Sequence, residues 1–227
     1  MKIRYSAMLL IMGGLIFCSC SSVKVLNSWK ADQDVINAFK EKNILVIART
    51  ADHNSRVDFE EEIANQMRSK GFTVKESFWS VAKLHPEREM TEERKALIKK
   101  VLEIEKYTGI VVTTIKDKQE VTSTTSNGIY MGATYGNHYP GYYGSFYNYY
   151  SYPYANGYYY QGFGGYIPVS TSTRTSTTYV LETVAFNLDE SQENQIVAVI
   201  TSEIKNPKDA HKTAVEFVKK VVQSLEK

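Results

Sequence analysis

One polar run in this chain carries the residue types of acid–base chemistry. It is DHNSRVDFEEE, from Asp52 to Glu62. A hydrolase would take His53 as base and Asp58 as its partner, with Arg56 as a ligand-binding group. The same run also reads as a polar loop entering a helix. Ser55 and Asp58 have the spacing of a capping box. Glu60, Glu61 and Glu62 fall in the first turns, where the helix dipole favours anions. Arg56 stands against that dipole, so its expected partner is Glu60 at i+4. Such a pair contributes about 0.2–0.5 kcal/mol when exposed. Acid–base catalysis needs groups that converge in space, which one local run does not supply. The structural reading is therefore preferred, and no catalytic residue is assigned.

The remaining candidates are fewer. His53, His85, His138 and His211 have no His or Cys at i+3 or i+4, so zinc spacing is absent. GFGGY (Gly162–Tyr166) is not followed by Lys-Ser/Thr, which excludes a P-loop. No metal or cofactor is expected. The two cysteines, Cys18 and Cys20, lie in MKIRYSAMLLIMGGLIFCSCSS at the start. Lys2 and Arg4 precede an 11-residue apolar stretch, Ala7–Phe17. That stretch is far shorter than the roughly 30 Å bilayer core requires, so it reads as a secretory signal.

Phe17-Cys18-Ser19-Cys20 resembles a bacterial lipobox, an apolar residue and two small ones before Cys. The resemblance implies cleavage after residue 19, diacylglycerol on the Cys20 sulfur, and a third acyl chain such as palmitate on its amine. Three chains exceed what stable anchoring takes. Ser21 in place of Asp implies an outer-membrane lipoprotein facing the periplasm. Loss of Lys2 and Arg4 takes the 27 basic residues to 25, equal to the 25 acidic ones. No basic excess then argues for nucleic acid.

The elements that must position these residues follow from periodicity. Strands are expected at Ser22–Trp29, Asn43–Ala48, Phe72–Ser77, Ile110–Ile115, Tyr179–Asp189 and Gln195–Ile204, the last two as a hairpin. A helix from Ser55 to Gly71 should bury Phe59, Ile63, Ala64 and Met67. A second, with Thr91 as cap and Gly109 as stop, should turn Leu97, Val101 and Ile104 inward. A third starts with Asn206 as cap and Pro207 at its first position. Its apolar face is Ala214, Phe217, Val218, Val221, Val222 and Leu225. This order predicts a single-domain α/β two-layer sandwich with a mixed sheet and about three helices.

NSWK (Asn27–Lys30), the run Lys42–Val74, a Tyr/Gly-rich insert and a closing hairpin and helix together resemble a family of uncharacterised small lipoproteins of Gram-negative envelopes. The family's Arg-x-x-Phe-Glu helix opening matches Arg56, Phe59 and Glu60. The resemblance implies a periplasm-facing α/β domain and no known activity.

From Val121 to Thr173 there are 53 residues without Asp, Glu, Lys or Arg. Twelve of the 17 tyrosines lie between Tyr139 and Tyr166. The division expected is a signal at 1–19, an α/β domain at 20–120 and 174–227, and a partly disordered hairpin insert at 121–173. Its tip is read as a flexible end, a binding surface for an envelope protein or glycan, or a membrane-interface contact. The candidate contact residues are Tyr142, Tyr143, Tyr149, Tyr150, Tyr158, Tyr159 and Tyr160. The function expected is a lipid-anchored envelope protein acting by interaction. The alternatives are an envelope assembly or secretion accessory, and a hydrolase using the His53/Arg56/Asp58 region.

Overall fold

The run from Asn43 to Arg49 alternates between two apolar faces, Ile44, Val46 and Ala48 on one and Leu45 and Ile47 on the other. A strand apolar on both faces belongs inside a sheet covered on both sides. The computed structural model describes residues 22–80, 91–121, 128–131, 146–151, 165–168 and 176–226. In chain order its elements are β1 (Val23–Lys30), α1 (Gln33–Lys40), β2 (Asn43–Arg49), α2 (His53–Ser69), β3 (Thr73–Glu76), the single turn α3 (Ser77–Ser80) and α4 (Glu92–Ile104). They continue with β4 (Gly109–Val121), β5 (Gly128–Met131), α5 (Phe146–Ser151), β6 (Gly165–Pro168), β7 (Ser176–Asn187), β8 (Ile196–Lys205) and α6 (Ala210–Leu225).

Six strands form one mixed sheet in the order β1-β8-β7-β4-β2-β3, and β5 pairs with β6 separately. β2 is parallel to β3 and β4, and the other pairings in the sheet are antiparallel. The expected hairpin of β7 and β8 is present. One face carries α1, α2 and α6 through Phe39, through Phe59, Ile63 and Ala64, and through Ala214, Phe217 and Val218. The rings of Phe59 and Phe217, 5.3 Å apart, join α2 to α6. Each such buried Phe or Val contributes about 1.5–3 kcal/mol. The reverse face is partly covered by Ile98 and Leu102 of α4 and by Phe146 and Tyr150 of α5.

Several expectations are corrected. α1 was not foreseen: it is two turns long, with only Phe39 buried. The helix caps are Asp52 and Asp209, which accept from the backbone N–H of Ser55 and Lys212. They displace Ser55 and Asn206 from that role. Asn206 instead takes a left-handed φ of 48° and ties its amide oxygen to Thr177 N–H at 2.8 Å. With α2 starting at His53, Glu60 lies beyond the first turn.

In α4 the buried residues are Ile98 and Leu102, while Leu97 and Ile104 are exposed. Val101, expected inward, packs half-buried against this core, so the observed face is shifted toward Ile98 and away from Leu97 and Ile104. Thr91 does cap this helix, accepting from Arg94 N–H. Gly109 is not its stop; Lys106, at φ 57°, makes the left-handed exit. Gly109 opens β4, where a Cβ would lie 2.8 Å from Ile44 Cγ1 and 2.9 Å from Phe39 Cε2. Its role is close approach of backbone to core.

The insert is more than a hairpin tip. β4 and β7 do extend as two arms, as far as Val121 opposite Ser176. α5, within the expected insert, returns to the core and buries Phe146 and Tyr150. Residues 1–21, 81–90, 122–127, 132–145, 152–164, 169–175 and 227 lie outside the description, and with them Cys20, the leader, Tyr142, Tyr143, Tyr158, Tyr159 and Tyr160.

Candidate functional site

The polar run at the start of α2 resolves into a buried carboxylate and its donors. Glu60 is fully buried. Its Oε1 accepts from Ala48 N–H at 3.0 Å, from Arg56 Nε at 3.0 Å and from the Ser77 hydroxyl at 2.7 Å. Its Oε2 accepts from Phe78 N–H at 2.9 Å. Arg56 also donates through Nη2 to the Ser77 oxygen at 2.7 Å. The Arg56–Glu60 pair therefore exists as an i+4 ion pair, but in the interior and not on the surface. Four donors on one carboxylate, three of them on Oε1, hold its charge in the interior. The cluster fastens the end of β2, the middle of α2 and the start of α3.

The three residues of the hydrolase reading do not converge. Arg56 turns to Glu60 and Ser77, His53 is exposed, and Asp58 faces His211 of α6 with Oδ1 3.6 Å from Nδ1. Asp52 sits beside His53, its carboxyl held below the usual range by the Ser55 backbone N–H and then the Ser55 hydroxyl. This is capping chemistry and not an activated base. Among the described residues no group of three His, Cys, Asp or Glu could hold a metal.

An apolar cleft lies between the sheet and α1, α2 and α6, and has a volume of about 330 Å³. Val111 and Ala185 form part of its floor, Ile63 and Phe217 part of its walls, and Ile36 and Phe39 of α1 its cover. The charged residues lining it are Lys30, Lys70 and Glu226. Lys70 pairs with Glu226 at 2.6 Å, and Lys30 Nζ donates to the Leu225 carbonyl. Sequence reasoning assigned most of these apolar residues to the core and missed the cleft. Its members come from separate elements, and no local signature links them. A smaller cleft of about 190 Å³ lies at the other end of the helix layer, lined by Arg49, Thr50, Asp52, Thr114 and Thr213.

The insert's tyrosines divide in two. Tyr150, expected on an exposed binding surface, is buried. Its ring stands 5.6 Å from that of Phe146, which in turn lies 6.0 Å from Phe186. The Arg49 guanidinium lies 5.4 Å from the Tyr150 ring, in cation–π range. Burial pushes the Tyr150 phenol above its ordinary pKa, with Arg49 opposing. Large aromatic area with few rotors suits a core as well as a surface. Tyr149 lies in the same helix. Among the described residues no helix is long and apolar enough to cross a membrane.

No family model matches the sequence, and no curated protein matches it. Among solved structures the chain is similar to the PelC dodecamer from Paraburkholderia phytofirmans, with a TM-score of 0.39, 8% identity, and 89% of this chain and 95% of that chain covered. It is also similar to a DUF4136 family protein from Bacteroides thetaiotaomicron, with a TM-score of 0.33, 11% identity, and 90% and 95% covered. At these scores neither likeness carries an argument about this chain.

Proposed function

We propose that this chain is a lipid-anchored cell-envelope protein, on the periplasmic side of the outer membrane, that acts by contact and not by turnover. Membership of a family of small Gram-negative envelope lipoproteins belongs to the same reading. The observation that carries it is the register of the sheet. Val23 lies opposite Ile204, Ile204 opposite Tyr179, and Tyr179 opposite Lys118. The arms of β4 and β7 run on past that line to Val121 and Ser176. The first strand therefore begins at the end of the sheet from which the insert departs. Cys20 precedes Val23 by three residues in the sequence. An anchor at Cys20 would hold the root of the Tyr/Gly-rich insert near the lipid surface. Tyrosine suits that interface. The contact assigned to the insert is thus with the membrane surface, or with an envelope protein or glycan lying on it.

The test has two arms. Cys20→Ala should abolish incorporation of radiolabelled palmitate; label that persists refutes the anchor. Deleting residues 152–164, which spares Phe146 and Tyr150, should leave the fold intact and remove crosslinked partners from native envelopes. An unchanged crosslinking pattern refutes the role of the insert. A larger deletion, from Tyr130 to Tyr166, would also remove two core aromatics and could not distinguish lost contact from lost folding.

A further inference from the structure

The cleft under α1 lies away from the anchor end, beside the terminus of β1 at Lys30 and the last turn of α6 at Leu225. We propose that it binds a single-chain amphiphile with an anionic head, the acyl chain inside and the head at the lysines. At about 330 Å³ the cleft is at the lower end of the range for ligand sites, which suits one chain and not two.

Its interior offers little to a polar ligand. The Thr183 hydroxyl is already bonded to Thr113 at 2.8 Å, and the Gln33 amide to Asn37 at 3.0 Å. A sugar or nucleotide would lose hydrogen bonds to water there without replacement. An acyl chain loses none, and it gains the burial of its methylenes at about 0.8 kcal/mol each.

The charge around the cleft selects the head. Lys30 and Lys70 line it against a single acid, Glu226. Lys40 adds another cation, its ammonium 5.9 Å from the Phe72 ring that also lines the site. An anionic head would meet Lys30 directly and take Lys70 from its bridge to Glu226. Admission is through α1. That helix buries only Phe39, and its N-cap, Asp32, makes no side-chain capping bond. So few fixed contacts place it at the low end of local stability, where covers that move are found.

The experiment uses the full chain in phosphatidylcholine nanodiscs and a diazirine-bearing dodecanoic acid as photoprobe, with labelled peptides mapped by mass spectrometry. Label is expected on α1 and on the last two turns of α6. Unlabelled dodecanoate or monoacyl phosphatidylglycerol should reduce it at least tenfold, and whichever competes identifies the source of the head. Dodecyltrimethylammonium, with the same chain and a cationic head, should compete at least tenfold less well. Equal competition by the cationic amphiphile overturns the assignment, as does label that avoids both helices. Val221→Phe, which fills the cleft from a half-buried position, should cut labelling at least fivefold; undiminished labelling of the folded variant also overturns it. The competition arm needs no variant and decides the matter if Val221→Phe fails to fold.

Discussion

Removing the Glu60 carboxylate should be the most costly single change in the polar interior. In Glu60→Ala the N–H groups of Ala48 and Phe78 lose their acceptor, and Arg56 loses its counter-ion. An orphaned buried donor costs about 1–3 kcal/mol, and breaking a buried ion pair about 3–5 kcal/mol. These figures overlap, because the same carboxylate serves every partner. The expected loss is about 4 kcal/mol, against about 5–15 kcal/mol for a whole domain. Glu60→Gln keeps an oxygen for Ala48, Arg56 and Ser77 but turns an NH₂ toward the Phe78 N–H. It keeps the hydrogen bonds to Oε1 but not the countercharge of Arg56, so it should lose about 3 kcal/mol, less than Glu60→Ala. Arg56→Ala leaves the carboxylate three donors and should cost less than Glu60→Ala. Urea unfolding followed by far-ultraviolet circular dichroism reads all three. A loss below about 1 kcal/mol for Glu60→Ala would return the pair to the surface value of an exposed i+4 contact and refute the reasoning. So would a Glu60→Gln variant as unstable as Glu60→Ala.

Three further outcomes follow from the packing. Tyr150→Phe should be within about 0.5 kcal/mol of wild type at neutral pH, because the Tyr150 hydroxyl has no hydrogen-bond partner among the described residues. Its effect should appear in alkali. A phenol whose pKa is raised by folding binds its proton longer in the native state, so stability is full below the ordinary value near 10 and falls as pH rises through the raised one. Tyr150→Phe should flatten that fall in unfolding midpoints between pH 8 and 11.5, with Tyr147, which burial also raises, among the groups that keep part of it; an unchanged slope contradicts the burial. Gly109→Ala should cost about 1–3 kcal/mol by overpacking against Ile44 and Phe39, read as a lower thermal midpoint. Asp209→Ala should cost about 1 kcal/mol by removing the α6 cap, measured in urea, and no loss would return the cap to Asn206.

The sequence made legible those parts in which burial follows a short period. The face of α6, the alternation of β2 and the β7–β8 hairpin needed nothing beyond neighbouring residues. The α4 face was misjudged because two equivalent stripes compete. Leu97 lies beside Ile98, and packing against Tyr107 on the reverse face turns Ile98 and Leu102 inward, with Val101 half-buried beside them. The α2 cap was misplaced because Asp52, Asn54 and Ser55 are all competent to cap, and local spacing cannot rank them. The burial of Glu60 was illegible for a different reason. Its partners Ala48, Ser77 and Phe78 stand 12, 17 and 18 residues away, so its neighbours Glu61 and Glu62 make it look like one of a solvated run. The cleft is longer-range still, because its walls come from different helices and its floor from the sheet.

The uncharged stretch from Val121 to Thr173 now separates into parts with different physical requirements. At Phe146–Ser151 the absence of charge is a folding condition. Phe146 is fully buried and Tyr150 nearly so, and a lysine at either place would be an unpaired charge in the core. At β5 and β6 the requirement is pairing, since Tyr130 opposes Tyr166 and Ile129 opposes Ile167. A test for surface function should therefore vary the tyrosines of 152–164 and leave Tyr150 in place. Introducing lysines at Tyr158, Tyr159 and Tyr160 should leave the unfolding midpoint unchanged while abolishing any contact that depends on an uncharged aromatic surface. A drop in midpoint equal to that of a core substitution would show that these tyrosines, like Tyr150, belong to the fold.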